Sequence, residues 1–119
     1  MYEYQARVTR VIDGDTIEVV VDLGFHLAWK TPVRLNGINA PERNSKSPQE
    51  RAAAQLATAY LTAHIEGKTV LVKTVKPQDK YGRYLADVWQ LGGEQSRSVN
   101  QAMIDLELVK PWDGTGPKP

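Results

Sequence analysis

The chain has 119 residues, of which 41% are hydrophobic and 24% are charged, as in an ordinary single globular domain. It has no cysteine, which excludes disulfides, thiolate metal sites and cysteine nucleophiles. The formal net charge of +1 does not by itself indicate a nucleic-acid partner. The sequence lacks an apolar run of about 18 residues and the features of a signal peptide, so we expect a soluble, cytoplasmic protein.

The chain begins with a predicted β-hairpin. Segments 4–12 and 16–23 are rich in β-branched residues and alternate loosely between apolar and polar positions. Between them lies Asp-Gly-Asp, which predicts a turn at Asp13-Gly14, where glycine tolerates a positive φ.

A loop and a third strand are expected next. Residues 24–32 are predicted to form a wide connection that carries several apolar side chains. The strand follows within residues 33–38, with Val33 and Leu35 on one face and Arg34 on the other.

The clearest helix signal begins at Ser47. Ser47 is the predicted N-cap, Pro48 is suited to the first helical position, and Glu50 completes a capping box. Gly67 supplies the stop signal. The predicted apolar face comprises Ala53, Leu56, Ala57, Tyr60, Leu61 and His64.

Two more strands and a short helix complete the pattern. The strands are predicted at 69–75 and 84–90, and a second capping box from Ser98 to Gln101 begins a helix that ends near Leu106.

This order of elements predicts an α+β fold, mainly β, built on a five-stranded OB-fold barrel with two to three helices. The domain is predicted to span residues 1–112, with a disordered tail at 113–119. Short connections argue against a parallel sheet, which needs long crossovers.

Charge is unevenly distributed along the chain. Residues 1–28 carry five acidic residues against two arginines, whereas residues 68–83 carry five basic residues against one aspartate. This asymmetry suits a site where a cation meets a phosphate, although charge alone favours the simpler alternative of a solvated strand and turn.

Three short motifs carry the strongest functional signal. They are IDGDT at 12–16, RLNGINAPE at 34–42 and DKYGR at 79–83. Each is weak alone, since DGDT is more often a hairpin turn than a ligand set and fails the EF-hand pattern. Together and in this order, over roughly residues 6–112, they resemble the staphylococcal nuclease, or thermonuclease-like, family. The resemblance implies calcium-assisted hydrolysis of phosphodiester bonds in DNA or RNA.

The resemblance also implies a metal site. By matching positions, Asp15 would be a direct ligand of Ca²⁺, the next ligand position falls on Asn39, and the carbonyl of Ala40 would face the ion. Asparagine keeps an oxygen that calcium accepts but not the charge, so we expect binding weakened by roughly tenfold or more. Asp13 could add a second carboxylate nearby or serve only the hairpin turn.

Catalytic and substrate-binding roles follow from the same matching. Glu42 would be the general base, Arg34 and Arg83 would hold the scissile phosphate, and Lys80 and Tyr81 would contact a terminal phosphate or neighbouring nucleotide. Paired guanidinium groups suit phosphate oxygens because each can donate two parallel hydrogen bonds. The structural alternatives are a polar strand position or turn cation for the arginines, electrostatic support of the helix for Glu42, and packing on the barrel for Tyr81.

Two functions therefore stay open, and a third, in which the barrel is a purely structural platform for protein interactions, is less favoured. The favoured one is a working calcium-dependent nuclease, monomeric and acting on DNA or RNA, with single strands the expected form. The alternative is a catalytically impaired OB-fold module that binds nucleic acid, because Asn39 stands where an aspartate is expected. Trp112 is a weaker candidate than the motif residues for contact with nucleic acid. His26 and His64 are not expected to bind metal.

Overall fold

The computed structural model describes residues 2–76, 83–92, 95–113 and 118. In chain order its elements are β1 (Glu3–Asp13), β2 (Thr16–Gly24), β3 (Leu27–Leu35), β4 (Ile38–Asn39), α1 (Pro48–Ile65), β5 (Thr69–Lys76), β6 (Tyr84–Gln90), α2 (Val99–Asp105) and β7 (Lys110–Pro111). Within these ranges, neither helix has the length and hydrophobicity needed to span a bilayer.

Five strands close into one barrel in the order β1-β2-β3-β6-β5, and β5 pairs back with β1. Neighbouring strands are antiparallel except β3 and β6, which form a short parallel contact between residues 33–35 and 84–86. β4 and β7 form a separate two-stranded sheet. This mixed barrel with two helices in its described part confirms the predicted OB-like α+β fold.

The core fills the inside of the barrel. Alternate residues of each strand point inward, as the two-residue period of a strand requires. The buried strand residues include Ala6, Val8, Ile17, Val19, Val33, Leu35, Val70, Val72, Ala86 and Val88. Helix α1 packs against β1 and adds Ala57, Leu61 and Ile65 to the same core.

The first hairpin is confirmed, but its turn lies one residue later than predicted. Asp13 pairs with Thr16, so Gly14 and Asp15 form the turn. The reason given for glycine was wrong, because its φ is outside the left-handed region. Glycine is required by close packing: a Cβ at position 14 would lie 2.8 Å from Ala57 Cβ and 2.9 Å from Ala40 Cβ.

The predicted wide connection at 24–32 was wrong, because β2 and β3 form a second hairpin. Gly24 pairs with Leu27, and Phe25 and His26 form the turn with φ values of 53° and 60°. A two-residue turn of this kind needs positive φ at both central positions, and Asn-Gly is its usual sequence. Phe-His gives no such signal, so the hairpin was not visible in the sequence.

The third strand starts earlier and ends earlier than predicted. β3 ends at Leu35, and Gly37, with φ of +79°, turns the chain before β4. The amide of Leu35 donates to the carbonyl of Asp15 at 2.8 Å, and that of Asn36 donates to Ala86 at 2.8 Å. These bonds fix the end of β3 between the first hairpin turn and β6.

Helix α1 begins as predicted, with one difference at its cap. Ser47 Oγ accepts from the Glu50 amide at 3.3 Å, but the Glu50 carboxylate does not return to Ser47. It accepts instead from the Glu42 amide at 3.0 Å and from the Ser45 hydroxyl at 2.7 Å. Glu50 therefore ties the start of the helix to the segment that carries Glu42.

The buried face of α1 is rotated from the predicted one. Ala54, Ala57, Leu61 and Ile65 are buried, whereas Leu56 is 63% exposed. Small alanines let the helix approach the first hairpin turn closely, and this approach leaves the larger Leu56 outside. Gly67, with φ of +77°, ends the helix region as predicted.

Helix α2 is fixed by a buried asparagine that the sequence did not reveal. Asn100 Oδ1 accepts from the Val88 amide at 3.0 Å, and Nδ2 donates to the carbonyls of Asn36 at 2.8 Å and Ala86 at 3.1 Å. All three bonds are largely shielded from water, since Asn100 is only 4% exposed. They join α2 to β6 and to the turn that follows β3.

Candidate active site

The first hairpin turn brings the carboxylate of Asp15 to the centre of a polar cleft. Asp15 Oδ2 accepts from the Ala40 amide at 3.1 Å and lies 3.4 Å from Arg34 Nη2. Its Oδ1 accepts from the Thr16 hydroxyl at 3.1 Å. One carboxylate thus connects the hairpin turn, the end of β3 and the segment after β4.

Asp13 and Asp15 form an electrostatically coupled pair. Burial, followed by the hydrogen bond and charge of Asp15, raises the pKa of Asp13 to about 6. Burial opposes ionisation of Asp15 as well, but hydrogen bonds with Asp13 and the Ala40 amide and the charge of Arg34 lower its pKa overall. Two carboxyl groups that compete for ionisation create a local preference for a cation.

Arg34 is held rigidly rather than exposed on the strand face. It is only 7% exposed, and its guanidinium carbon lies 5.3 Å from the ring centroid of Trp112. Nη1 also donates to the carbonyl of Leu35 at 3.4 Å. The Asp15 carboxylate and the tryptophan ring therefore fix the guanidinium at the edge of the cleft.

Arg83 reaches the same cleft from the start of β6. Its Nη1 lies 3.5 Å from Thr16 Oγ1, beside Asp15. Arg83 is half-buried and lines the same cavity as Arg34. Arg34 on β3 and Arg83 immediately before β6 thus line one cleft together with Asp15, and their predicted roles in holding phosphate stay predictions.

Glu42 is exposed at the rim of the cleft. Its backbone is anchored by Glu50, and its Oε1 lies 3.8 Å from Lys118 Nζ. Lys118 also lies 5.7 Å from the Trp112 ring centroid. A cation from the C-terminal segment, which was not predicted in the site, therefore stands beside the expected general base.

Asn39 lies next to the cleft but is not among the residues that line it. It is half-buried, and its backbone pairs with Lys110 between β4 and β7. The following residue, Ala40, does line the cleft and directs its amide at Asp15. The metal-binding roles of Asn39 and of the Ala40 carbonyl stay predictions.

The whole cavity has a volume of about 440 Å³. Its lining residues are Asp13, Asp15, Arg34, Ala40, Pro41, Glu42, Arg43, Asn44, Arg83 and Lys118. The structure thus brings together five of the eight predicted site residues. Lys80 and Tyr81 lie outside the described residues, and Asn39 stands beside the cavity.

Sequence reasoning missed two charged residues of this cleft, Arg43 and Lys118, and left the role of a third, Asp13, open. For Asp13 the sequence left both a ligand role and a turn role open, although the two-residue spacing of Asp-Gly-Asp was a usable signal for a pair of nearby carboxylates. Arg43, whose Nη1 donates to the Ile12 carbonyl at 3.3 Å, follows Glu42 directly in the motif. Lys118 had no sequence signal, because its contact with Glu42 joins residues far apart in the chain.

The fold and the cleft together define a small mixed-barrel protein with a polar site of carboxylates and arginines. Residues 32–111 match the family described as staphylococcal nuclease homologue, and the chain belongs to that family. This confirms the resemblance drawn from the three motifs.

Individual relatives agree with the family match. The chain is 40% identical over 109 residues to Protein ParB of Escherichia coli, covering 86% of this chain and 54% of that protein. It is 36% identical over 104 residues to a thermonuclease of Staphylococcus intermedius, covering 87% and 54% respectively. An uncharacterized endonuclease of Escherichia coli is 34% identical over 102 residues, covering 86% and 57%. The chain spans about half the length of the curated relatives it matches.

Proposed function

We propose that this chain hydrolyses phosphodiester bonds of DNA or RNA, as a monomer in the cytoplasm, with calcium as its cofactor. Family membership and the names of two relatives, a thermonuclease and an endonuclease, support the reaction class. The single observation that carries the proposal is the convergence of Asp15, Arg34, Glu42 and Arg83 on one polar cavity.

The donor set fits a hard divalent cation. Carboxylate oxygens are the ligands that calcium prefers, and Asp13 and Asp15 present two of them side by side. Across the described ranges, no three acidic or histidine side chains come together as a complete cage. Asp15 and Asp13 would therefore hold the ion together with neutral oxygens, water and the substrate phosphate. When bound, calcium supplies positive charge that stabilises negative phosphoryl oxygens.

The two arginines bind and orient the phosphate. Each guanidinium can donate two parallel hydrogen bonds to phosphate oxygens, and Arg34 is held in place before substrate arrives. Preorganised donors are effective because no reorganisation is needed as charge grows on the phosphoryl oxygens. Arg83 approaches from β6, so the phosphate is held from two directions.

Glu42 accepts the proton of the attacking water. The water oxygen forms a bond to phosphorus while its proton passes to the Glu42 carboxylate. The bond from phosphorus to the leaving oxygen breaks, and that oxygen takes a proton from solvent water. The exposed position of Glu42 at the rim gives it access to water. Its ion pair with Lys118 would have to separate or shift for this step, because the lysine occupies one side of the carboxylate.

A second candidate function is nucleic-acid binding without hydrolysis, and Asn39 is the reason to test it. In that case the arginines bind the phosphate of a nucleic acid without cleaving it. The observation in its favour is that the cleft, within the described residues, offers two adjacent carboxylates and not three. Asparagine at position 39 leaves the ion with less compensating charge than an aspartate would supply.

The decisive experiment is cleavage of single-stranded DNA and of RNA by the pure protein across a calcium titration up to about 10 mM. Glu42→Ala serves as the matched inactive variant. Calcium-dependent cleavage that Glu42→Ala abolishes supports the nuclease. Binding of both polymers without cleavage at every calcium concentration rejects the nuclease and supports the binding module.

A further inference from the structure

Glu50, at the start of helix α1, does not serve the helix in the usual way. In a capping box, a carboxylate at this position accepts from the backbone amide of the N-cap residue, which is Ser47 here. In this protein the Ser47 amide donates instead to Ser45 Oγ at 3.1 Å. Ser45 thus takes over this part of the cap, and the Glu50 carboxylate has other partners.

The Glu50 carboxylate binds the segment between β4 and α1. It accepts from the Glu42 amide at 3.0 Å and from the Ser45 hydroxyl at 2.7 Å. The bond from the Glu42 amide, followed by that from Ser45, lowers the pKa of Glu50, so the group is ionised at neutral pH. Hydrogen bonds to an ionised acceptor are roughly twice as strong as bonds between neutral groups. Glu50 is therefore a strong anchor for the Glu42 backbone.

The carbonyl side of the Glu42 backbone is fixed as well. The Ser45 amide donates to the Glu42 carbonyl at 3.3 Å. The Ser45 carbonyl in turn accepts from Arg51 Nη1 at 2.7 Å. Glu50 and Arg51 are consecutive residues of α1, so the start of the helix holds Glu42 directly through its amide and indirectly through Ser45.

The Glu42 side chain, in contrast, is 65% exposed. Its contact with Lys118 is an exposed ion pair at 3.8 Å, a kind of contact that does little to fix a side chain. The position of the carboxylate therefore depends mainly on the backbone that carries it. Position matters for a general base, because a displacement of about 1 Å can cost roughly a hundredfold in rate.

We infer that Glu50 is a positioning residue, which holds the Glu42 backbone so that the Glu42 carboxylate reaches the cleft. The inference rests on the proposed function, in which Glu42 is the general base. Glu50 is not among the residues that line the cleft, whereas Glu42 is. Glu50 therefore acts on the reaction through Glu42 and not through contact with the phosphate.

Steady-state cleavage of single-stranded DNA, at a calcium concentration that saturates each variant, tests this role. Glu50→Ala should lower kcat roughly tenfold and leave KM almost unchanged, because Arg34 and Arg83 still hold the phosphate. Glu50→Gln, which keeps an oxygen for the Glu42 amide, should recover most of the lost kcat. Ser47→Ala is the matched control, since it removes the acceptor of the Glu50 amide at the same helix end and should lower stability without lowering kcat.

Hydrogen exchange of the Glu42 amide, followed by NMR without nucleic acid, provides a readout that does not need activity. Exchange should be faster in Glu50→Ala than in the wild type or in Ser47→Ala. Equal exchange in Glu50→Ala and the wild type overturns the inference, and so does an equal kcat loss in Ser47→Ala or a Glu50→Ala effect confined to KM. A wild type that cleaves no faster than Glu50→Ala overturns the inference alone. If the wild type cleaves nothing at any calcium concentration, the proposed nuclease fails, and the catalytic role of Glu50 fails with it.

Discussion

Arg34 and Asp15 form an ion pair in which Nη2 and Oδ2 are 3.4 Å apart and the side chains are only 8% and 14% exposed. Neither charge is well hydrated, so each depends on the other. Removing one partner of such a pair leaves an uncompensated charge, which is far more costly than losing a surface pair.

Asp15→Asn is therefore expected to destabilise the protein by about 2 kcal/mol. The asparagine keeps an oxygen for the Ala40 amide, so the loss reports mainly the missing charge beside Arg34. Part of the loss is offset because Asp13 no longer faces a second carboxylate. Urea denaturation at pH 7 measures the change. Glu3→Gln, which removes the exposed 3.8 Å pair between Glu3 and Lys73, should cost less than about 1 kcal/mol. Equal losses in the two variants would contradict the buried-pair argument.

Arg34→Lys is expected to lower kcat by roughly a hundredfold if the protein is a nuclease. Lysine keeps the charge but cannot donate two parallel bonds to phosphate or stack in the same way on Trp112. Arg43→Lys provides the comparison, because Arg43 lines the same cavity but is exposed. Steady-state cleavage of single-stranded DNA would show both effects, and similar kcat values for the two variants would remove Arg34 from the proposed role.

Gly14→Ala is expected to destabilise the fold by roughly 1–3 kcal/mol, the usual cost of overpacking. The new methyl group would meet Ala57 Cβ at 2.8 Å and Ala40 Cβ at 2.9 Å. It must therefore push helix α1 or the segment after β4 away from the hairpin turn. Gly92→Ala meets no atom within 4 Å and should leave the melting temperature almost unchanged. If Gly14→Ala had the same melting temperature as the wild type, the surrounding atoms would be able to make room for the methyl group at little cost.

The sequence was most informative where structure is decided locally. The Ser-Pro-Gln-Glu signal located the start of α1, and β6 was predicted at its exact observed bounds, Tyr84–Gln90. The hairpin between β2 and β3 was missed because Phe25 and His26 adopt positive φ without the usual Asn-Gly signal. Leu56 was misplaced because packing against a hairpin turn, and not periodicity alone, selects the buried face of the helix.

The same contrast between local sequence signals and long-range contacts applies to the candidate site. Motif positions identified Asp15, Arg34, Glu42 and Arg83, because each lies within a short characteristic stretch. The contacts that shape the site join distant segments: Glu50 to Glu42, Trp112 to Arg34 and Lys118 to Glu42. Such contacts join residues that are far apart in the sequence, so local patterns could not reveal them.

Glu50→Gln is expected to make stability less sensitive to acid. The Glu42 amide and the Ser45 hydroxyl lower the pKa of Glu50 in the folded protein, because both donate to its carboxylate. A group with a lowered folded pKa stabilises the fold above its unfolded pKa, and this contribution disappears as pH falls through the folded value. The wild type should thus exceed Glu50→Gln in stability at pH 7, and the difference should shrink in acid. Urea denaturation from neutral pH to about pH 3 would detect this, and two parallel pH profiles would contradict it.

Asn39→Asp is expected to lower the calcium concentration needed for half-maximal cleavage by roughly tenfold, because charged ligands raise calcium affinity. Asn44→Asp adds the same charge to the wall of the same cavity and should have a smaller effect if position 39 is a true ligand. The structure offers a competing second ligand, since Asp13 lines the cleft and Asn39 does not. An unchanged calcium requirement in Asn39→Asp, together with a raised one in Asp13→Asn, would transfer the ligand role to Asp13. Calcium titrations of cleavage, repeated as calorimetric titrations without nucleic acid, separate ion binding from turnover.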